Sequence, residues 1–368
     1  MKDCPIYPEK VSDTMLVERE SKLLKGANGH ITRKDHSAMR PLTPLFLTLA
    51  LLLCSCRTSL PPSSSPASQE ADQGSYRIGV SFPTTSLLFR SAMFQLLEEF
   101  DLSEGSVELI LCDGENSQEK QNQDLVNLID DPVDGIILIP YTMEGPLPAI
   151  QYANDRGIPV LTLDNRVESS SLSRTIGYVG AEHVTMGEQA ARLLISALEE
   201  HFPDAAQWNV IYLTGIPNSS GAVDRDTGIT QVLSQEPRIR LLGTYNGEFS
   251  RLNAESILDD CLNVYPDLHG VICQNDLMAE GCYQALVRRG LAGEVALVGI
   301  DGQRSVVEEI AAGGIDGTVI QYPDMALEAV EEICRYLDGE PLSFSNYQQT
   351  DIITRENAQW YLDQDLPW

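Results

Sequence analysis

The sequence predicts an α/β fold of two lobes, each with a parallel sheet whose faces are covered by helices. From residue 76 onward, short apolar runs alternate with segments of helical spacing, the pattern of parallel strands joined by right-handed crossovers. The alternation forms two successive sets, and 368 residues is a natural length for two domains. The run 135–140 is apolar throughout, as in a strand buried on both faces.

The first set opens with a strand at 78–81 and a helix at 87–100, in which Leu88, Met93 and Leu97 share one apolar face. Further strands and helices follow in alternation. The other predicted elements of this set are strands at 107–112, 135–140 and 160–163, and helices at 117–129 and 145–156.

The second set has the same layout, and the segment 270–281 shows its repeating unit. There the apolar strand 271–273 ends in a polar tip, Gln274-Asn275-Asp276, and a helix starts at once. The other predicted elements of this set are helices at 182–200, 222–233 and 252–262, and strands at 209–213, 241–245, 296–301 and 317–321.

Four predicted strands end in a side chain that can form hydrogen bonds: Asp164, Asn275, Asp301 and Gln321. In open α/β sheets, ligands bind outside the carboxyl ends of the strands. We therefore expect these four side chains to converge on one binding cleft. For any one of them, capping of a following helix is an alternative role.

Composition and motifs exclude several classes of function. A net charge of −29 argues against nucleic acid or an anionic membrane surface as partner, because both attract Lys and Arg clusters. The eight cysteines form no paired CxxC pattern, so we predict no metal site, and no phosphate loop or GxGxxG segment indicates a nucleotide cofactor. No nucleophile motif accompanies His183 or His201, so we predict no enzyme, with a glycosidase-like pair of Asp164 and Asp301 as the enzymatic alternative.

The amino-terminal region indicates export and anchoring. The apolar run 45–53 has the length of a signal-peptide core, and Leu53-Cys54-Ser55-Cys56 resembles a bacterial lipobox. We therefore predict a lipoprotein signal peptide at 39–56 with Cys56 as the lipid acceptor, which places the body in the periplasm or outside the cell. Cys54 as acceptor, or an uncleaved anchor helix, are the alternatives.

The segments on either side of the signal peptide carry no pattern of a folded core. Residues 1–38 show no clear apolar period, and they are either disordered or an artefact of start-site choice, with Met39 as the true start. Residues 57–75 are rich in Ser and Pro, which is a linker composition.

From Tyr76 to its end the chain resembles the type I periplasmic sugar-binding proteins of the ribose and galactose group. The resemblance implies two Rossmann-like lobes joined by three hinge crossings, with a sugar in the cleft. It implies a first lobe of 76–178 and 322–348, and a second of 179–321 and 349–368. The motifs that carry it, in order, are IGVSFP, GIPVLTLDNR, YVGAEHVTMGEQAARLL, GVICQNDLMAEG, VALVGIDG, GTVIQYP and TDIITRENAQWYL.

The resemblance also implies a set of ligand-binding residues. Carboxylates and amides bind sugar hydroxyls, and aromatic rings cover the apolar C–H face. The implied set is Thr85, Phe89, Asp164, Asn165, Arg225, Phe249, Asn275, Asp301 and Gln321.

Three positions depart from the ribose pattern. Asn165 stands where ribose binders have Arg, Val223 stands at a basic position with Arg225 nearby, and Ile139 replaces an Asn. We therefore expect a pocket that is less cationic and more apolar than a ribose site, suited to a less hydroxylated ligand.

The leading interpretation is a monomeric, lipid-anchored solute-binding protein that delivers a monosaccharide or small polyol to an ABC-type importer. Closure would occur by hinge bending near Val179, Gln321 and the segment before Ile352. A ligand sensor that feeds a receptor kinase or chemoreceptor is the alternative. A repressor of this fold would need an amino-terminal helix-turn-helix, and residues 1–75 carry the lipobox and linker instead.

Overall fold

The computed structural model describes residues 76–103, 107–131, 133–364 and 368. The predictions for 1–75, including the signal peptide, Cys56 and the linker, lie outside these residues. No helix in the described ranges is both long and apolar enough to span a bilayer.

The described residues form twelve strands and ten α-helices. The strands are β1 (Tyr76–Phe82), β2 (Val107–Asp113), β3 (Gly135–Leu138), β4 (Val160–Leu163), β5 (Gly177–Ala181), β6 (Trp208–Thr214), β7 (Ile239–Asn246), β8 (Gly270–Cys273), β9 (Ala296–Asp301), β10 (Gly317–Ile320), β11 (Ser345–Gln348) and β12 (Asp351–Thr354). The helices are α1 (Leu88–Ser103), α2 (Gln118–Asp130), α3 (Leu147–Asp155), α4 (His183–His201), α5 (Ser220–Leu233), α6 (Arg251–Val264), α7 (Asp276–Arg289), α8 (Arg304–Ala312), α9 (Met325–Leu337) and α10 (Ala358–Asp363).

The strands assemble into two six-stranded sheets, which confirms the predicted two-lobed α/β fold. The first has the order β11-β5-β4-β3-β1-β2 and is parallel throughout. The second has the order β12-β10-β9-β8-β6-β7, and only the β10–β12 pair is antiparallel among its described pairings. Strands β3, β4, β8 and β10 are buried at every residue, because helices cover both faces of each sheet.

The chain passes between the two sheets three times. The crossings lie between β5 and α4, between β10 and α9, and between β11 and β12. Helix α4 packs on α5 and the second sheet, whereas α9 packs on α1 and the first sheet.

The first crossing lies later than the expected boundary at residue 178. Strand β5 pairs with β4 up to Val179 and with β11 up to Ala181, so Val179 belongs to the first sheet and not to a hinge. The sequence pattern predicts no strand here, because only one polar residue, Glu182, separates β5 from α4.

Three helices and three strands have no counterpart in the sequence prediction: α8, α9, α10, β5, β11 and β12. Helix α9 buries Met325, Ala329, Val330 and Ile333, a regular helical spacing. Strands β11 and β12 are four residues each and lie at sheet edges. Strand β11 is polar and β12 has only two aliphatic residues, Ile352 and Ile353, so neither carries a clear apolar pattern.

The described cysteines are free thiols. Cys273 in β8 and Cys282 in α7 bring their sulfurs to 3.7 Å within the core of the second lobe, without a disulfide.

Candidate ligand-binding cleft

The carboxyl ends of strands from both sheets meet at one cavity between the lobes. Asp164 follows β4 of the first sheet, whereas Asn275, Asp301 and Gln321 stand at the ends of β8, β9 and β10 of the second. All four line the cavity, and none exposes more than 6% of its surface. The strand-tip argument from the sequence therefore correctly predicts which side chains come together.

The backbone at three cavity residues adopts conformations that L-residues rarely take. The φ angles of Asp164, Phe249 and Asp301 are 59°, 55° and 137°. Such strain persists where surrounding structure holds it, and it concentrates at functional sites.

Asp276 fixes the turn that carries Asp301. Its carboxylate accepts the main-chain N–H groups of Gly302 and Gln303, both at 2.8 Å, and the hydroxyl of Thr318 at 2.8 Å. Burial, followed by the negative charge of Asp301, raises the pKa of Asp276 to about 7. Asp276 thus holds the strand tip in place from below the cavity.

Asp301 is the centre of a buried polar network. Its Oδ1 lies 3.2 Å from Nη2 of Arg225 and accepts Nε2–H of Gln321 at 2.9 Å. Arg225 also donates to the main-chain oxygen of Gln274 at 2.7 Å. Burial raises the pKa of Asp301 to about 6, Arg225 opposes this effect, and the charge of Asp164 adds to it.

Asp164 lies among positive or hydrogen-bonding groups from both lobes. The ring Nε2 of His183 is 2.8 Å from its main-chain oxygen and 3.6 Å from its Oδ1. Burial alone would raise the pKa of Asp164, but His183, Arg90 and Arg225 together bring it below its ordinary value. Burial also lowers the pKa of Arg90, which lies within reach of the charges of Asp164 and Asp301.

Several polar atoms at the cavity have no hydrogen-bond partner. Within the described ranges, five buried side-chain atoms are unpaired, and four of them belong to cavity residues. These four are Arg90 Nη1, His183 Nδ1, Arg225 Nε and Gln321 Oε1. Because nearly all buried polar atoms in folded proteins find a partner, this cluster points to a polar ligand.

Eight of the nine expected ligand residues line the cavity; the exception is Thr85. The hydroxyl of Thr85 donates to Oδ2 of Asp113 at 2.5 Å, so it supports the end of β2 instead. Asn165 lines the cavity with its polar atoms occupied: Nδ2 donates to Pro140 O, and Oδ1 accepts N–H of Gly221.

Val223 and Ile139, the two apolar residues that depart from the ribose pattern, do not line the cavity. Val223 is 40% exposed on α5, and Ile139 is fully buried in the core of the first lobe. Arg225, two residues after Val223, supplies the guanidinium instead.

The sequence interpretation missed five polar or aromatic cavity residues: Arg90, His183, Ser219, Gln303 and Trp368. Arg90 directly follows Phe89, and that adjacency was the available signal. Neither His183 nor Trp368 stands at the end of a predicted strand, so the strand pattern does not indicate them.

The model of the periplasmic binding protein domain family matches residues 78–341. The chain belongs to the periplasmic binding protein family. This family membership confirms the resemblance seen in the sequence and agrees with a function other than catalysis.

This periplasmic binding protein is 25% identical over 299 residues to the ribose import binding protein of Bacillus subtilis (strain 168), covering 80% of this chain and 93% of the relative. It is 28% identical over 255 residues to the xylitol-binding protein of Mycolicibacterium smegmatis, covering 69% and 70%. Its fold superposes with a TM-score of 0.72 on an ABC transporter solute-binding protein from Mycobacterium smegmatis with bound glycerol, at 27% identity and covering 78% and 96%.

Proposed function

We propose that this protein binds a neutral monosaccharide or small polyol in the interlobe cleft and delivers it to an ABC-type importer. The observation that carries the proposal is the cluster of unpaired buried atoms on Arg90, His183, Arg225 and Gln321. A ligand with several hydroxyls could satisfy donors and acceptors together, because each hydroxyl both donates and accepts.

The charges of the cavity favour a neutral ligand. Arg90 and Arg225 supply two positive charges, and Asp164 and Asp301 supply two negative ones, all four in buried positions. A charged ligand would leave one charge uncompensated in a buried site, which is costly. The relatives named for ribose and xylitol, and the structure with bound glycerol, also concern neutral polyhydroxyl compounds.

The lobes make the contacts expected of a cleft that closes on its ligand. The main-chain N–H of Met143 in the first lobe donates to Asn218 O in the second at 3.0 Å, close to the contact between Asn165 and Gly221. Bending at the three crossings would open these contacts and admit the ligand. The closed form would then present one continuous surface to the permease.

The test is calorimetric titration of the purified protein with monosaccharides, polyols and nucleosides. We expect a neutral sugar or polyol to bind, and Asp301→Asn to weaken its affinity by about tenfold or more, because hydrogen bonds to charged groups contribute about 1.5–3 kcal/mol. Asp204→Asn, an exposed site with the same chemical change, is the control. Absence of binding across the whole panel would refute the proposal.

We also infer that Cys56 carries a lipid that anchors a monomeric body to the outer face of a bacterial membrane. The support is the lipobox-like segment after an apolar run of signal-peptide length. Cys56→Ala is expected to move the protein from the membrane fraction to the soluble fraction, whereas Cys54→Ala should leave it in the membrane. The opposite pattern would identify Cys54 as the acceptor.

A further inference from the structure

Trp368 is fixed against the two strand ends that carry Asp301 and Gln321. Its indole N–H lies 3.0 Å from the main-chain oxygen of Gln321 and 3.2 Å from that of Asp301. Its own main-chain oxygen accepts the N–H of Arg304 at 2.8 Å, at the start of α8. The ring is thus held by the second lobe at the edge of the cavity.

The ring of Trp368 meets an aromatic side chain of the first lobe. Its centroid lies 5.0 Å from that of Phe89, with the two planes tilted by 53°. Both residues line the same cavity as the strand-tip side chains. The pair therefore forms an apolar part of the cavity wall to which both lobes contribute.

Trp368 lies in the cavity wall, whereas the two other tryptophans do not. Trp208 is fully buried in β6, and its ring is covered by the guanidinium of Arg238 at 3.8 Å. Trp360 is 55% exposed on α10 and pairs with Tyr361. Of the three, Trp368 alone lines the cavity, and its side chain is neither sealed in the core nor on the outer surface.

We propose that Trp368 determines ligand specificity by providing an apolar wall for a C–H face or deoxy position of the ligand; this rests on the proposed function. The indole N–H is already used on two carbonyl oxygens, so the ring has no free donor to offer. A hydroxyl directed at the ring would lose its water partners without replacement, which is unfavourable. A C–H face would instead gain the favourable contact that aromatic rings make.

The test uses the full-length protein, the variants Trp368→Ala and Trp368→Phe, and Trp360→Ala as the matched control. Affinities are measured by calorimetry for sugar pairs that differ by one hydroxyl, such as D-galactose with D-fucose and D-ribose with 2-deoxy-D-ribose. We expect Trp368→Ala to weaken binding by about tenfold and to reduce the preference for the less hydroxylated member of a pair. Trp368→Phe should retain most of that preference, and Trp360→Ala should change neither value.

Fluorescence gives a second readout that does not depend on the affinity of a weakened variant. Ligand should change the tryptophan emission of Trp360→Phe as in the parent protein, and this change should be lost in Trp368→Phe. Thermal melting of each variant shows whether the fold is retained.

The role of Trp368 would be overturned if a folded Trp368→Ala variant kept the affinity and the preference of the parent protein while Asp301→Asn lost binding. Failure of the parent protein to bind any sugar or polyol would instead refute the proposed function, and with it the ligand that Trp368 is to contact.

Discussion

Asp301 is a buried carboxyl whose protonation is set by opposing neighbours. Burial and the charge of Asp164 favour its neutral form, and Arg225 favours its ionised form, with the pKa at about 6. The pKa of an aspartate side chain in an unfolded chain is about 4. Between these two pH values the folded state binds the proton more tightly than the unfolded state does, so protonation of Asp301 stabilises the fold.

The stability that Asp301 contributes should therefore fall as pH rises from about 4 to about 6. A pKa difference of about two units corresponds to about 3 kcal/mol at most. Urea unfolding of the parent protein and of Asp301→Asn at several pH values would measure it. We expect the free energy of unfolding of the parent, relative to the variant, to be larger at pH 4.5 than at pH 7.5. A difference that does not vary with pH would show that Asp301 does not titrate in this range.

At this scale the sequence was most informative about strand tips and least about partners from distant segments. Asp164, Asn275, Asp301 and Gln321 follow apolar runs, so their place at the sheet edge followed from the strand pattern. The positive φ of Asp164 and Asp301 had no sequence signal, because neither residue is a glycine. Thr85 was expected in the cavity, and a local bond to Asp113 directs its side chain elsewhere.

The residue that caps helix α7, Asn275, also lines the cavity. Oδ1 of Asn275 accepts the N–H of Met278 at 3.0 Å and so caps the helix. Helix capping is the alternative role that the sequence analysis gives for a strand-tip residue. No hydrogen bond within the described ranges occupies Nδ2 of Asn275. Capping and ligand binding are therefore compatible roles for different atoms of one side chain.

Two substitutions at Asn275 should separate these roles. Asn275→Ser keeps an oxygen that can cap α7 but removes the amide donor, so affinity should fall by about tenfold with little loss of stability. Asn275→Ala removes both and should also lower the free energy of unfolding by about 1 kcal/mol. Calorimetric titration and urea unfolding of both variants test this. Equal affinity of Asn275→Ser and the parent would assign Asn275 to capping alone.

A loop of the first lobe contacts the first turn of α5 in the second lobe. The main-chain N–H of Arg166 donates to the hydroxyl of Ser220 at 2.6 Å, and its guanidinium pairs with Asp224. Asn165 accepts the N–H of Gly221 at 3.1 Å. A loop of one lobe thus satisfies the helix start of the other, and these bonds exist only while the lobes are together.

Loss of the Arg166–Asp224 pair should shift the protein toward an open form. Asp224 precedes the cavity residue Arg225, but it does not itself line the cavity and its carboxylate pairs with Arg166, so a change in affinity in Asp224→Asn would report lobe closure. We expect about threefold weaker binding and a larger radius of gyration of the ligand-free protein by X-ray scattering, since partly exposed pairs contribute up to about 1 kcal/mol. Asp204→Asn is the control. Unchanged scattering and affinity would mean that the pair does not hold the lobes together.

The elements also show where sequence patterns stop being informative. The buried strands of both sheets are apolar throughout, so their order along the chain was predictable. The edge strand β11 has the polar sequence SNYQ and is defined by pairing with β5, 167 residues earlier in the chain. The extent of β5 beyond residue 178 depends on the same long-range pairing.

The whole molecule is joined by its three crossings, and one side chain connects two of them. Gln348, at the end of β11, accepts the N–H of Tyr322 at 3.1 Å and donates to Oδ1 of Asp324 at 2.5 Å, both in the second crossing. Thr350 of the third crossing donates to Gln189 of α4, which follows the first. The crossings are thus tied into one hinge region and would bend together.

Gln348→Ala should therefore alter the motion of the lobes without altering the cavity wall. Each lost hydrogen bond contributes about 1 kcal/mol to the conformation in which it forms, so the open form should become more populated. Stopped-flow fluorescence should show ligand dissociation about threefold to tenfold faster, with a larger radius of gyration of the ligand-free protein. Gln359→Ala on the exposed face of α10 removes a similar side-chain amide outside the crossings and should leave both values unchanged. If Gln348→Ala and Gln359→Ala behave alike, the crossings bend independently of the bonds that Gln348 forms.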